Sequence, residues 1–191
     1  MATRQKKKTV HVATKAILFK VQLCRIKPTI WRRIVLLDDM SLGRLHWVIQ
    51  VAMGWQFEHA HSFLIDDTRY EEKGFGYSEA EDESDVTLAE VITREKQKFV
   101  YTYDFGDDWE HKIVAEKFLP LLPSNKFPAC IDGARACPPE DCGGPYGYLN
   151  FLDAQTTKTP TETQMVFREW YDGKFDPEHF DMDAVNKRLH G

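Results

Sequence analysis

The candidate side chains for acid–base or metal chemistry gather in two short stretches of this chain. The run YTYDFGDDWEHK, Tyr101 to Lys112, sets Asp104 and His111 among four aromatic and four acidic residues around one glycine. The run CIDGARACPPEDC, Cys130 to Cys142, supplies Cys130, Cys137 and Cys142 in a C-x6-C-x4-C spacing, with Glu140 and Asp141 between the last two. Thiolate and imidazole ligands suit zinc or iron, so Cys130, Cys137, Cys142, His111 and, from a separate segment, His61 are the candidate metal ligands. A bound ion would also fix a loop so rich in proline and glycine. The spacing lacks the C-x2-C knuckle of strong zinc motifs, and the bland alternative is a set of small buried side chains. For acid–base work the candidates are His111, Asp104, Glu140 and Asp141. A cysteine nucleophile beside His111 would use the same residues, but no nucleophile signature surrounds any cysteine.

These residues need a frame. Ile17, Phe19, Val21 and Leu23 alternate as in a half-buried strand, and TIWRRIVLL, Thr29 to Leu37, is β-branched and aromatic, so two antiparallel strands are predicted. Ser41 opens a helix carrying Leu42, Leu45, Val48, Ile49, Ala52 and Met53 at helical spacing until Gly54. A third strand is predicted over His59 to Ile65, which would turn both His59 and His61 to one face. The acidic stretch from Asp66 to Asp85 reads as a solvated loop, and Thr87 with Glu90 as a capping box. Strands over Phe99–Phe105 and Trp109–Phe118 flank the opening motif. Matching their apolar faces makes Gly106-Asp107-Asp108 the turn and pairs Phe105 with Trp109, Tyr103 with His111 and Tyr101 with Ile113. Asp104 then lies opposite Glu110, on the other face from His111. The segment after Pro120 reads as one long irregular loop, followed by helices near Tyr148–Gln155, after Thr161 and after Asp181. The expected fold is α+β: a largely antiparallel, mixed sheet with a β-β-α-β opening, packed against helices and ending in a helical segment.

With 191 residues and 42% hydrophobic composition the chain suits one domain, expected over 15–191, behind a disordered basic tail at 1–14. No apolar run is long enough to span a bilayer and no signal sequence is apparent, so a cytoplasmic protein without a membrane partner is expected. A net charge of -5 leaves no broad basic surface. Nucleic-acid contact would have to come from Lys6, Lys7 and Lys8 of the tail with Arg32 and Arg33.

Taken in order, PTIWRRI, LHWVIQVAMGWQFEHAHSF, YTYDFGDDWEH, CIDGARACPPEDCGGPYGYLNFL and WYDGKFDPEHFDMDAVNKRL resemble the plasmid pRiA4b ORF-3-like family across nearly the whole chain. The resemblance implies a tie to plasmids and mobile elements and brings no established activity. Its motif positions here include Trp31, Arg32, Arg33, His46, Gln50, Trp55, His61, Asp104, His111, Cys137, Glu140 and Asp141, without roles. The leading expectation is therefore a noncatalytic binding or adaptor domain with a protein partner. The alternative is a metal-dependent or acid/base enzyme whose site lies between the 104–111 hairpin and the 130–148 loop, and nucleic-acid binding stands third.

Overall fold

A computed structural model describes residues 12–74, 79–171 and 173–191. Strand β1 (Ala16–Leu23) buries Ile17, Phe19, Val21 and Leu23, as a period of two requires, and pairs antiparallel with β2 (Trp31–Leu37). The Ser41 hydroxyl accepts from the Arg44 N–H at the start of α1 (Leu42–Met53), and Gly54 ends that helix with φ 102°. The whole predicted apolar stripe of α1 is buried. The helix is followed by β3 (His61–Ile65), β4 (Thr68–Glu71), β5 (Glu81–Asp82), β6 (Lys98–Tyr103) and β7 (Trp109–Leu119). A 3-10 turn (Glu83–Asp85) and α2 (Leu88–Val91), behind its Thr87–Glu90 capping box, separate β5 from β6. Strand β8 (Ala129–Ala134) precedes α3 (Gly144–Thr156), α4 (Glu162–Trp170) and α5 (Met182–His190).

The eight strands form one sheet in the order β5-β4-β3-β6-β7-β1-β2-β8. Only β4 and β5 run parallel, so this is the expected α+β architecture with a mixed, mostly antiparallel sheet. Its core joins the apolar faces of β1, β2, β6 and β7 to α1 and to Tyr148 and Phe151 of α3.

Three local expectations are corrected. The acidic stretch after Ile65 contributes β4 and β5, whose polar residues suit an exposed sheet edge. The segment read as wholly irregular contains β8, paired to β2 at the opposite edge. Gly133 sits in it because a Cβ there would approach Phe180 to 2.6 Å and Arg32 Cδ to 2.9 Å. The hairpin register differs by two residues: Tyr103 pairs with Trp109, Tyr101 with His111 and Phe99 with Ile113. A slip of two keeps every side chain on its predicted face, so Tyr101, Tyr103, Trp109 and His111 are buried together. Phe105, released from the strand, is 42% exposed. The turn is five residues long, Asp104 to Asp108, and both end residues take positive φ at 55°. Aspartate tolerates that region better than most residues, which is how the loop closes with its glycine in the middle.

Candidate functional site

The 104–108 turn and the loop before α3 meet at a seam beside the start of β3. Asp104 is built into the turn: its N–H donates to Ala60 O at 2.9 Å, and its Oδ1 accepts from the N–H groups of Gly106 (2.9 Å) and Asp107 (3.3 Å). Asp107 Oδ2 accepts from the Gly143 N–H at 3.1 Å and so ties the turn to the second loop. Gly144, at φ +68°, carries no side chain because a Cβ would stand 2.4 Å from Asp107 O. Asp108 instead pairs with Arg25. Asp107 and Asp108 are therefore fasteners.

The seam brings together Asp104, Glu140 and Asp141 of the sequence-based candidates and adds His59, which lies just before β3. His59 Nε2 is 3.1 Å from Asp141 Oδ1 and 3.8 Å from Asp104 Oδ2. Both carboxylates are within ion-pair range, yet Nε2 is a buried atom with no hydrogen-bond partner among the described residues. Glu58, His59 and Asp141 each present a ligand atom within 4.8 Å of the other two, the one such group of three among the described residues. Beside it, Glu140 Oε1 accepts from the Gln56 N–H (2.8 Å) and the Tyr103 hydroxyl (3.0 Å), while Oε2 is buried without a partner. Burial raises Glu140 above the usual carboxylate range, and raises the Tyr103 phenol with Glu140 as the next cause.

His111 and His61 are elsewhere. His111 is fully buried on β7, edge-on to Trp55 at 5.2 Å and 5.3 Å from the Tyr101 ring, and neither nitrogen has a hydrogen-bond partner among the described residues. Burial lowers it to about 3. His61, across the sheet from Tyr103, pairs instead with Glu83 at 2.7 Å.

The proposed thiolate shell of Cys130, Cys137 and Cys142 with His111 or His61 is not assembled as a group of ligand atoms among the described residues. Cys130 lies in β8 and the other two in the loop beyond it. Burial raises all three thiols, Cys137 well above its ordinary value and Cys142 to about 12, which keeps them protonated.

The nucleic-acid candidates also separate. Lys6, Lys7 and Lys8 lie outside the described residues. Arg32 is buried and gives its donors to four carbonyls: Nε to Ala52, one terminal nitrogen to Trp31 and Ala134, the other to Arg135, all at 2.8–2.9 Å. That corrects its reading as a phosphate ligand. Arg33 pairs with Glu116 at 2.8 Å and Asp132 at 3.0 Å.

Glu140 and Gln56 also border a cleft of about 390 Å³ between the end of α1, the Cys137–Glu140 turn and the C-terminal segment. The histidine of the seam left a trace in the sequence as the EHAH stretch, Glu58 to His61. Reading it as strand put both rings on one face, whereas the strand begins only at His61 and frees His59 to turn toward the acidic loops.

The family profile of the plasmid pRiA4b ORF-3-like protein matches residues 15–184. An uncharacterized protein y4hQ of Sinorhizobium fredii (strain NBRC 101917 / NGR234) is 37% identical over 145 residues, covering 72% of either chain. The crystal structure of a protein of unknown function, MM3350 from Methanosarcina mazei Go1, superposes with a TM-score of 0.80 at 31% identity, covering 91% of this chain and 99% of that one. By sequence along nearly its whole length and by fold, this chain belongs to the plasmid pRiA4b ORF-3-like family.

Proposed function

We propose that this chain is a noncatalytic binding domain that holds an apolar segment of a protein partner in the cleft beside the seam. The observation that carries this reading is the make-up of the cleft. Trp55, Tyr171, Phe175 and Phe180 wall it from separate stretches of chain, and the exposed His179, Asp181 and Arg188 stand around them. Aromatic walls with a charged surround are what a partner's apolar anchor requires. The protonated thiols and the sealed His111 supply no activated nucleophile next to it. Ala184 is exposed on this wall, so Ala184→Asp alters the cleft without entering the core. Peptides selected by display against the protein are expected to carry aromatic or aliphatic anchors and to bind Ala184→Asp about tenfold or more weakly, since a charge must then be desolvated. Val166→Asp, on the exposed face of α4, should leave binding unchanged. Selected peptides that bind Ala184→Asp as tightly as the unaltered protein would sink the proposal.

A second reading is favoured by His59. Ligand atoms around a divalent ion stand about 3–3.5 Å apart, close to the 3.1 Å between His59 Nε2 and Asp141 Oδ1. A ring nitrogen that hydrogen-bonds to neither flanking carboxylate suits a shared cation, with Glu58 and Asp104 completing the oxygen-rich shell. Titration calorimetry with Mn²⁺ or Zn²⁺ is expected to give one site per chain, abolished in His59→Ala and Asp141→Asn and retained in Cys137→Ser. Stoichiometric binding that survives His59→Ala, or no binding at all, rules out the site.

A further inference from the structure

A second polar pocket, of about 440 Å³, opens where the first half of α1 faces the beginning of β3 and the 3-10 turn. His46 and His61 line it as a stacked pair, with ring centroids 3.5 Å apart and planes within 4°. The tautomer of each ring follows from its partners. Gln50 Oε1 accepts from the Phe57 N–H at 3.2 Å, which fixes the amide so that Nε2 donates to the Tyr101 hydroxyl at 3.1 Å. The phenol then donates its own proton to His46 Nδ1, 2.8 Å away. Burial lowers His46 to about 3, so the neutral ring carries its single proton on Nε2.

His61 is set the opposite way. Its Nε2 lies 2.7 Å from Glu83 Oε2, and a carboxylate only accepts, so Nε2 carries a proton and, whenever the ring is neutral, the lone pair sits on Nδ1. Glu83 is itself buried, packed against the first turn of α1 where the helix dipole favours its charge. Gly43 leaves it room: a Cβ at that position would come within 3.1 Å of Glu83 Oε1. The pair thus presents an N–H donor on one ring and a lone pair on the ring stacked against it. Neither of those two nitrogens is hydrogen-bonded among the described residues.

We propose that this pocket binds a small neutral molecule through an amide edge, its carbonyl accepting from His46 Nε2 and its N–H donating to His61 Nδ1. Glu72, Asp82 and Glu83 outnumber Lys73 around the pocket, which disfavours carboxylates, and Trp47 offers an aromatic wall. Metal ligation by the two rings together is a poorer fit, because the lone pairs of parallel stacked imidazoles do not converge on one ion.

Benzamide, compared with benzoate, is the probe, and ¹⁵N spectra of histidine-labelled protein are the readout. Before ligand is added, both rings should show the Nε2–H tautomer. Benzamide is expected to shift the His46 Nε2 and His61 Nδ1 signals saturably at roughly millimolar concentration, as a fragment of that size allows, with benzoate about tenfold weaker or worse. Tyr101→Phe removes the hydroxyl that sets the His46 tautomer, and Gly43→Ala crowds the Glu83 carboxylate. Each should weaken benzamide about tenfold. Equal response to benzoate, an Nδ1–H tautomer at His61, or undiminished benzamide binding in both variants overturns the proposal.

Discussion

Replacing Arg32 by Met is expected to destabilise the protein by about 3–5 kcal/mol, more than any exposed arginine should. Methionine matches the aliphatic length of the side chain but removes every donor. Ala52 O belongs to the last turn of α1, where backbone carbonyls have no partner within the helix. Ala134 O and Arg135 O end β8 and begin the loop to the cleft. One guanidinium therefore stitches the helix end, β2 and the sheet edge together from below the cleft, its face covered by Phe180 at 4.1 Å. Burial lowers its pKa, so the charge is held at a cost that the four carbonyls offset. Losing those bonds leaves buried acceptors unsatisfied, while relief of the buried charge returns part of the loss. For a chain of this length the net effect corresponds to a melting temperature lower by roughly 10 °C. Arg32→Lys should not restore it, since an ammonium cannot reach four divergent acceptors from one stem. Chemical denaturation of the two variants checks this, and a loss under about 1 kcal/mol would refute the bracing role.

The contrast between Arg32 and Arg33 shows what was legible in the sequence and what was not. Alternation placed β1 and β2 correctly, and a helical stripe closed by Ser41 and Gly54 placed α1, because burial period and cap chemistry act within a few residues. The same local logic gave the capping box at Thr87 and the helix that starts after Thr161. The burial of Arg32 depends on the end of β8, with Ala134 lying 102 positions away, in a strand of mostly small residues that no local period betrays. The hairpin shows the limit from the other side. Face matching is blind to a slip of two, so the buried faces were right while the turn was two residues too short, and Asp104 went to the wrong strand partner. The seam needed both loops in place before His59 could be seen, since its partners come from positions 104 and 141.

His111 carries the other large effect, and it is one of pH. In an unfolded chain a histidine takes up its proton near 6.5. In the fold, burial lowers both His111 and His46 to about 3. Between those values the unfolded state binds protons that the folded state refuses, so the stability these rings allow is fully present above about pH 6.5 and drains away as pH falls toward 3. Each ring contributes a slope of up to about 1.4 kcal/mol per pH unit. Together they should take about 3–5 kcal/mol from the protein by pH 4.5, read as a shift in urea midpoint from its value at pH 7. Glu116, held low by Arg33, loses its ion pair only in the more acidic part of the range and does not mimic this. His111→Leu separates the contributions. It fills the space against Trp55 and Tyr101 without the unpartnered nitrogens, so it should match or exceed the unaltered protein at pH 7 and lose only about half as much by pH 4.5. Were His111 a ligand or a general base, the leucine variant would in addition be stripped of cation binding or of activity. Identical pH slopes for the two proteins would show that the ring titrates freely and is not the sealed core residue its surroundings make it.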